Sequence, residues 1–83
     1  MINKSILKSI FSNYFIKKFI VIEENDFNAF IIMSMKECIS LERWNNLEKI
    51  LKEYTKKDVS LLPFSQAYRY LGKSYISKGV VIE

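Results

Sequence analysis

Between residues 2 and 15 apolar side chains return every three or four positions: Ile2, Ile6, Leu7, Ile10, Phe11, Tyr14 and Phe15. Lys4, Ser5, Lys8, Ser9, Ser12 and Asn13 fill the other side. That spacing predicts an amphipathic helix. Its end is expected near Lys17 and Lys18, where positive charge suits the negative end of the helix dipole. Phe19-Ile20-Val21-Ile22 follows, apolar without a break and mostly β-branched, the pattern of a strand covered on both faces. Glu23-Glu24-Asn25-Asp26 is a polar reversal. A second apolar run, Phe27 to Met35, reads as another buried strand.

Ser40 is placed to cap a helix whose stripe is Leu41, Trp44, Leu47, Leu51 and Tyr54. Glu42 in its first turn and Lys56 and Lys57 in its last are the favourable way round for the dipole. Glu48 and Lys52, and Glu53 and Lys57, are spaced as i,i+4 pairs. Val59 to Phe64 predicts a third strand, with Pro63 at its end or on an edge because proline cannot donate to a ladder. Ser65 is expected to cap a last helix carrying Tyr68, Leu71, Gly72, Tyr75 and Ile76 on one face. Gly79 then turns the chain into a short strand, Val80-Val81-Ile82. The expected fold class is α+β, in the order α-β-β-α-β-α-β, a small mixed sheet with helices packed on it.

Composition narrows the chemistry. Residues 1–83 make one domain, with 49% hydrophobic and 14% aromatic residues but only two glycines and one proline, so a packed core is expected rather than disorder. The chain has no histidine and a single cysteine, Cys38. Imidazole catalysis, Ser-His-Asp and Cys-His arrangements and the common zinc sites therefore have no ligands or bases to use. Cys38 reads as a buried structural thiol, and the low cysteine count suits a reducing cytoplasm. No apolar run reaches the roughly 20 residues of a membrane span, and Ser, Asn and Lys interrupt the first segment, so neither a membrane location nor a signal peptide is expected. Net charge is +4, and residues 1–22 hold Lys4, Lys8, Lys17 and Lys18 with no acid. Lys17 and Lys18, with Arg69 and Lys73 one helical turn apart among tyrosines, are the candidate contacts for an anion or partner.

Three stretches resemble the minimal nucleotidyltransferase (MNT) family: Leu47 to Leu51 running into Asp58-Val59-Ser60-Leu61-Leu62, then Ser65 to Tyr70, then Ile76-Ser77-Lys78-Gly79-Val80-Val81-Ile82-Glu83. The likeness spans roughly residues 19–83 and is carried mainly by scaffold positions. It implies a truncated nucleotidyltransferase-like fold. The family's chemistry needs a Ser-Asp-x-Asp pair, a third acid in a Val-Asp-Leu strand, and a Gly-Ser turn for the triphosphate. Here Asn25-Asp26-Phe27-Asn28 stands in the first place, so Asp26 is kept while Asn28 is neutral. Val59-Ser60-Leu61 stands in the second, so Ser60 replaces the third acid, and only a hairpin connection replaces the nucleotide turn.

With Asp26, Asn28 and Ser60 as vestigial positions, no catalytic residue, metal or cofactor is expected. A different small α+β protein fits the same pattern. The resemblance implies a catalytically silent module that inhibits or neutralises a partner protein, since MNT proteins act as antitoxins to helical HEPN toxins. Richness in Ile, Lys and Asn suits a phage or mobile element of a low-GC bacterium. The alternative expectation is a small basic nucleic-acid-binding protein, and a homodimer is compatible with either.

Overall fold

A computed structural model describes residues 2–83. The elements are α1 (Lys4–Ser12), β1 (Ile16–Glu23), β2 (Phe27–Met35), α2 (Leu41–Thr55), β3 (Asp58–Pro63), α3 (Phe64–Leu71), α4 (Lys73–Ile76) and β4 (Val80–Ile82). The strands form one mixed sheet in the order β3-β2-β1-β4. β1 runs antiparallel to β2 and β4, and β2 runs parallel to β3. A parallel neighbour demands a crossover, and α2 supplies it. The expected α+β class and mixed sheet are observed, with the last helix divided in two.

Strand alternation sorts the side chains into two cores. On one face Phe19, Val21, Phe30, Ile32, Val59 and Leu61 pack beneath Leu7 and Phe11 of α1 and Leu47 and Leu51 of α2. The Phe11 ring lies 4.0 Å from that of Phe19 and 5.6 Å from that of Phe30, so α1 is pinned over the middle of the sheet by aromatic contact. On the other face Ile20, Ile22, Ala29 and Ile31 meet Ala67 of α3 and Ile76 of α4. The unbroken apolar runs of β1 and β2 are thus explained by helices on both sides of the sheet.

Five sequence expectations are corrected. First, α1 stops at Ser12 and not at Lys17 and Lys18, which lie in β1. Sheet pairing outcompetes helix propensity there: Ile16 pairs with Met35, and the Lys36 N–H donates to the Phe15 carbonyl at 2.7 Å. Second, Cys38 is exposed, because the link from β2 to α2 runs over the surface. Third, Lys56 is the left-handed C-cap of α2, with φ 61°, and Lys57 lies beyond the helix. The Lys57 ammonium donates to the Glu24 carbonyl at 3.1 Å instead of meeting Glu53. The Glu48–Lys52 pair forms at 3.6 Å.

Fourth, Ser65 sits inside the first turn of α3, whose N-cap is Pro63. Proline ends the strand and, with φ already near −66°, leads directly into the helix. Fifth, Gly72 adopts φ 84° and ψ 158°, a conformation open essentially to glycine alone, and breaks the last helix between Leu71 and Lys73. Arg69 and Lys73 therefore belong to different helices, and the one-turn spacing expected of them does not hold. The other caps follow the sequence: the Ser40 hydroxyl accepts from the Arg43 N–H at 3.2 Å, and the Asn3 side chain accepts from the Ile6 N–H at 3.1 Å.

Candidate functional site

An apolar crevice lies where β2 and β3 end and α2 and α3 begin. In an α/β sheet the chain diverges to opposite faces at that end of parallel strands, which leaves a crevice. Two cavities occupy it, of about 390 and 360 Å³, and they share Ile39, Trp44 and Pro63. Met33, Met35 and Phe64 wall the first; Leu41 and Leu61 wall the second. Leu41 is 75% exposed although it opens the apolar stripe of α2. It sits one residue after the Ser40 cap, so it overhangs the core instead of entering it. Phe64 and Tyr68, one turn apart on α3, bring their rings to 6.0 Å beside the same opening, and both are exposed. Leu41 and Phe64 thus leave apolar surface exposed at the crevice.

A second feature is polar and positive. Lys8, Ser9 and Ser12 on the outer side of α1, Lys17 of β1, and Lys36 just after β2 line a cavity of about 540 Å³. Lys17 reaches it through an irregularity in the ladder. Ile16 pairs with Met35 and Lys18 with Ser34, so Lys17 is an extra residue on β1. The bulge lets Ile16 and Phe19 both enter the same core and re-aims the lysine between them. Lys18 takes a different course and pairs with Glu83 at 3.8 Å.

Asp26 and Asn28, two of the three positions compared with the MNT acids, lie at the far end of the β1–β2 hairpin. Asp26 is exposed in the turn, where the Glu24 N–H donates to the Phe27 carbonyl at 2.9 Å. Asn28 is 1% exposed and its Oδ1 has no hydrogen-bond partner. It borders a small cavity of about 160 Å³ with Glu23, Tyr54, Thr55 and Lys57. Ser60 does not join it. Ala29 is the register partner of Ser60 and Val59 that of Asn28, and Ala29 and Val59 belong to opposite cores. Among the described residues no group of three or more His, Cys, Asp or Glu side chains could hold a metal ion. Arg69 and Lys73 are exposed on α3 and α4 and line none of the four cavities described above. Lys17 is thus the one candidate contact that the fold gathers with other cations.

Tyr75 on α4 donates to Glu24 Oε1 at 3.3 Å. Burial, then the negative charge of Glu24 and the hydrogen bond to it, raise the phenol above its ordinary value of 10.0.

Comparisons with known protein families, with curated proteins and with solved structures find no match to this chain. Its reading therefore rests on its own surface. From the sequence Trp44 reads as a core residue of the α2 stripe first and as an interface anchor second. Leu41 and Phe64 were missed because the first reads as part of the α2 stripe and the second as the end of the third strand, whereas β3 stops at Pro63 and Phe64 opens α3. The available signal was position: Leu41 directly follows a cap and Phe64 directly follows a strand-ending proline, the places where a stripe runs past its core.

Proposed function

We propose that this domain is a binding module that engages a partner protein through the crevice around Ile39, Leu41, Trp44, Pro63 and Phe64. The observation that carries this reading is the pair of adjoining apolar cavities, each large enough for a bulky side chain, with Trp44 between them. Tryptophan at the centre of such a surface, ringed by other apolar groups, is the usual form of an interaction hot spot. The partner contributes two large apolar side chains, one to each cavity. Inhibition or neutralisation of that partner, in the manner of an antitoxin or a mobile-element inhibitor, is the functional form proposed.

The helix–hairpin–helix–strand order supports regarding the domain as MNT-like. Phosphoryl transfer is not part of the proposal, because Asp26, Asn28 and Ser60 are not brought to one place. Magnesium chemistry needs oxygen ligands that converge on one cation. The reading is tested with Leu41→Lys and Phe64→Lys, which put charge into the two cavities while leaving the buried core intact. Loss of partner binding with unchanged thermal stability is the expected result; full binding by the double variant would refute it.

A further inference from the structure

We propose that the cavity between α1 and the start of β1 is a site for phosphate groups, held by Lys8, Lys17 and Lys36 with the hydroxyls of Ser9 and Ser12. This goes beyond partner binding at the apolar crevice and uses a different part of the molecule.

Three separate elements deliver the cations. Lys8 is on the outer side of α1, displaced from the inward Leu7 and Phe11. Lys17 is the extra residue of the β1 bulge. Lys36 is fixed by its backbone bond to Phe15 across the end of the hairpin. The turn that places them is itself clamped, since Arg43 donates to the Asn13 carbonyl at 2.8 Å and lies 4.8 Å from the Tyr14 ring.

No carboxylate borders the cavity. Among the described residues the ion pairs are Lys18–Glu83 and Lys52–Glu48, so none of the three cavity lysines is neutralised within the chain. Like charges gathered around a recess repel one another and concentrate counter-ions. A bound anion relieves that repulsion. Two hydroxyl donors beside three ammonium groups suit phosphoryl oxygens, which accept several hydrogen bonds at once. At about 540 Å³ the recess has room for successive phosphates. Phe19, the aromatic residue on its wall, is buried, so no exposed ring is offered for base stacking, and recognition would rest on phosphate alone.

Two sources carry this chemistry: a free oligophosphate and the backbone of a nucleic-acid strand. The test is calorimetric titration of the full chain with tripolyphosphate and, separately, with a single-stranded oligonucleotide, each at low and high salt. Saturable binding is expected, weakened roughly tenfold or more when Lys8→Gln, Lys17→Gln and Lys36→Gln are combined, and unchanged by Lys52→Gln. Binding of tripolyphosphate alone assigns the site to a free anion. Oligonucleotide binding whose logarithm falls with log salt by about 0.7 per contacted phosphate assigns it to a strand. Thermal melting of the combined variant should show no loss, because relief of like charge does not weaken the fold. Absence of binding in both titrations, equal binding by the combined variant, or equally tight binding of polyglutamate would each overturn the proposal.

Discussion

Asn28 and Ser60 lie one register step apart on adjacent parallel strands, yet their side chains leave the sheet on opposite faces. Asn28 shares its face with Val59 and Phe30, beneath α1 and α2, whereas Ser60 shares its face with Ala29. A strand repeats every two residues, so no side-chain rotation brings the pair together. Substituting acids at both positions would not build one cation site. The phosphate site proposed above lies at the opposite end of the hairpin, where Lys17 and Lys36 line one recess.

Asn28 also buries an unpartnered amide oxygen, and such a group costs about 1–3 kcal/mol relative to a satisfied or apolar one. Asn28→Val, a change of similar volume with better strand propensity, should therefore stabilise the domain by about 1 kcal/mol. In a domain of this size that is a rise of about 4–8 °C in Tm. A fall in Tm would mean that Asn28 makes a bond worth more than the burial it costs.

The two glycines should respond to alanine for unrelated reasons. At Gly79 a Cβ would collide with the side chain of Ile20 and come within 2.9 Å of Ile22 Cγ1 and 3.2 Å of the Val21 carbonyl. Both isoleucines are buried in the second core, so Gly79→Ala should cost about 1–3 kcal/mol through overpacking. At Gly72 nothing lies within 4 Å of the added carbon, but φ is 84°. Gly72→Ala should cost about 1–3 kcal/mol through backbone strain. Chemical denaturation measures both, and Gly72→Asn should cost about as much as Gly72→Ala, because asparagine's tolerance of positive φ belongs to the left-handed helical region and not to ψ 158°. At Gly79 asparagine should be worse than alanine.

Tyr75 predicts an alkaline limb. Its folded-state value is raised above 10.0 by burial and by Glu24, so the neutral phenol is favoured more in the folded chain than in the unfolded one. The associated stability is complete below pH 10 and is lost as pH rises through the folded value. Denaturation midpoints should fall more steeply above pH 10 in the native chain than in Tyr75→Phe. Parallel curves would show that neither burial nor Glu24 raises the phenol in the folded chain.

Arg43 should matter more than an exposed arginine usually does. It bonds Asn13 and lies over Tyr14, holding the turn in which Phe15 takes φ 64°. Arg43→Ala should lower stability by about 1 kcal/mol. It should also speed amide exchange at residues 13–17, which an arginine without a role in the turn would leave untouched.

The strands and the main helix were legible because their signals were local. Phe27 to Met35 and Val80 to Ile82 match their observed ranges, and Ser40 caps as its position implied. What was not legible depended on partners distant in sequence. The end of α1 is set by the pairing of Ile16 with Met35, and Lys17 is aimed by a bulge that appears only when β1 meets β2. Gly72 gave no warning because a glycine within a helical pattern is compatible with continuation. The two cavities joined at Trp44 were hidden for a related reason: no single segment shows that its stripe overruns the core it helps to build.

Trp44 is the only tryptophan and borders both apolar cavities, so its fluorescence reports directly on their occupancy. The decisive measurement isolates a protein retained stoichiometrically by the intact domain and titrates it, purified, against the intact domain and against the Leu41→Lys, Phe64→Lys variant. Binding through the crevice predicts a saturable blue shift of the Trp44 emission, lost in the double variant but preserved in the Lys8, Lys17, Lys36 variant. Stoichiometric binding that leaves Trp44 emission unchanged, or that survives the double substitution, would contradict it.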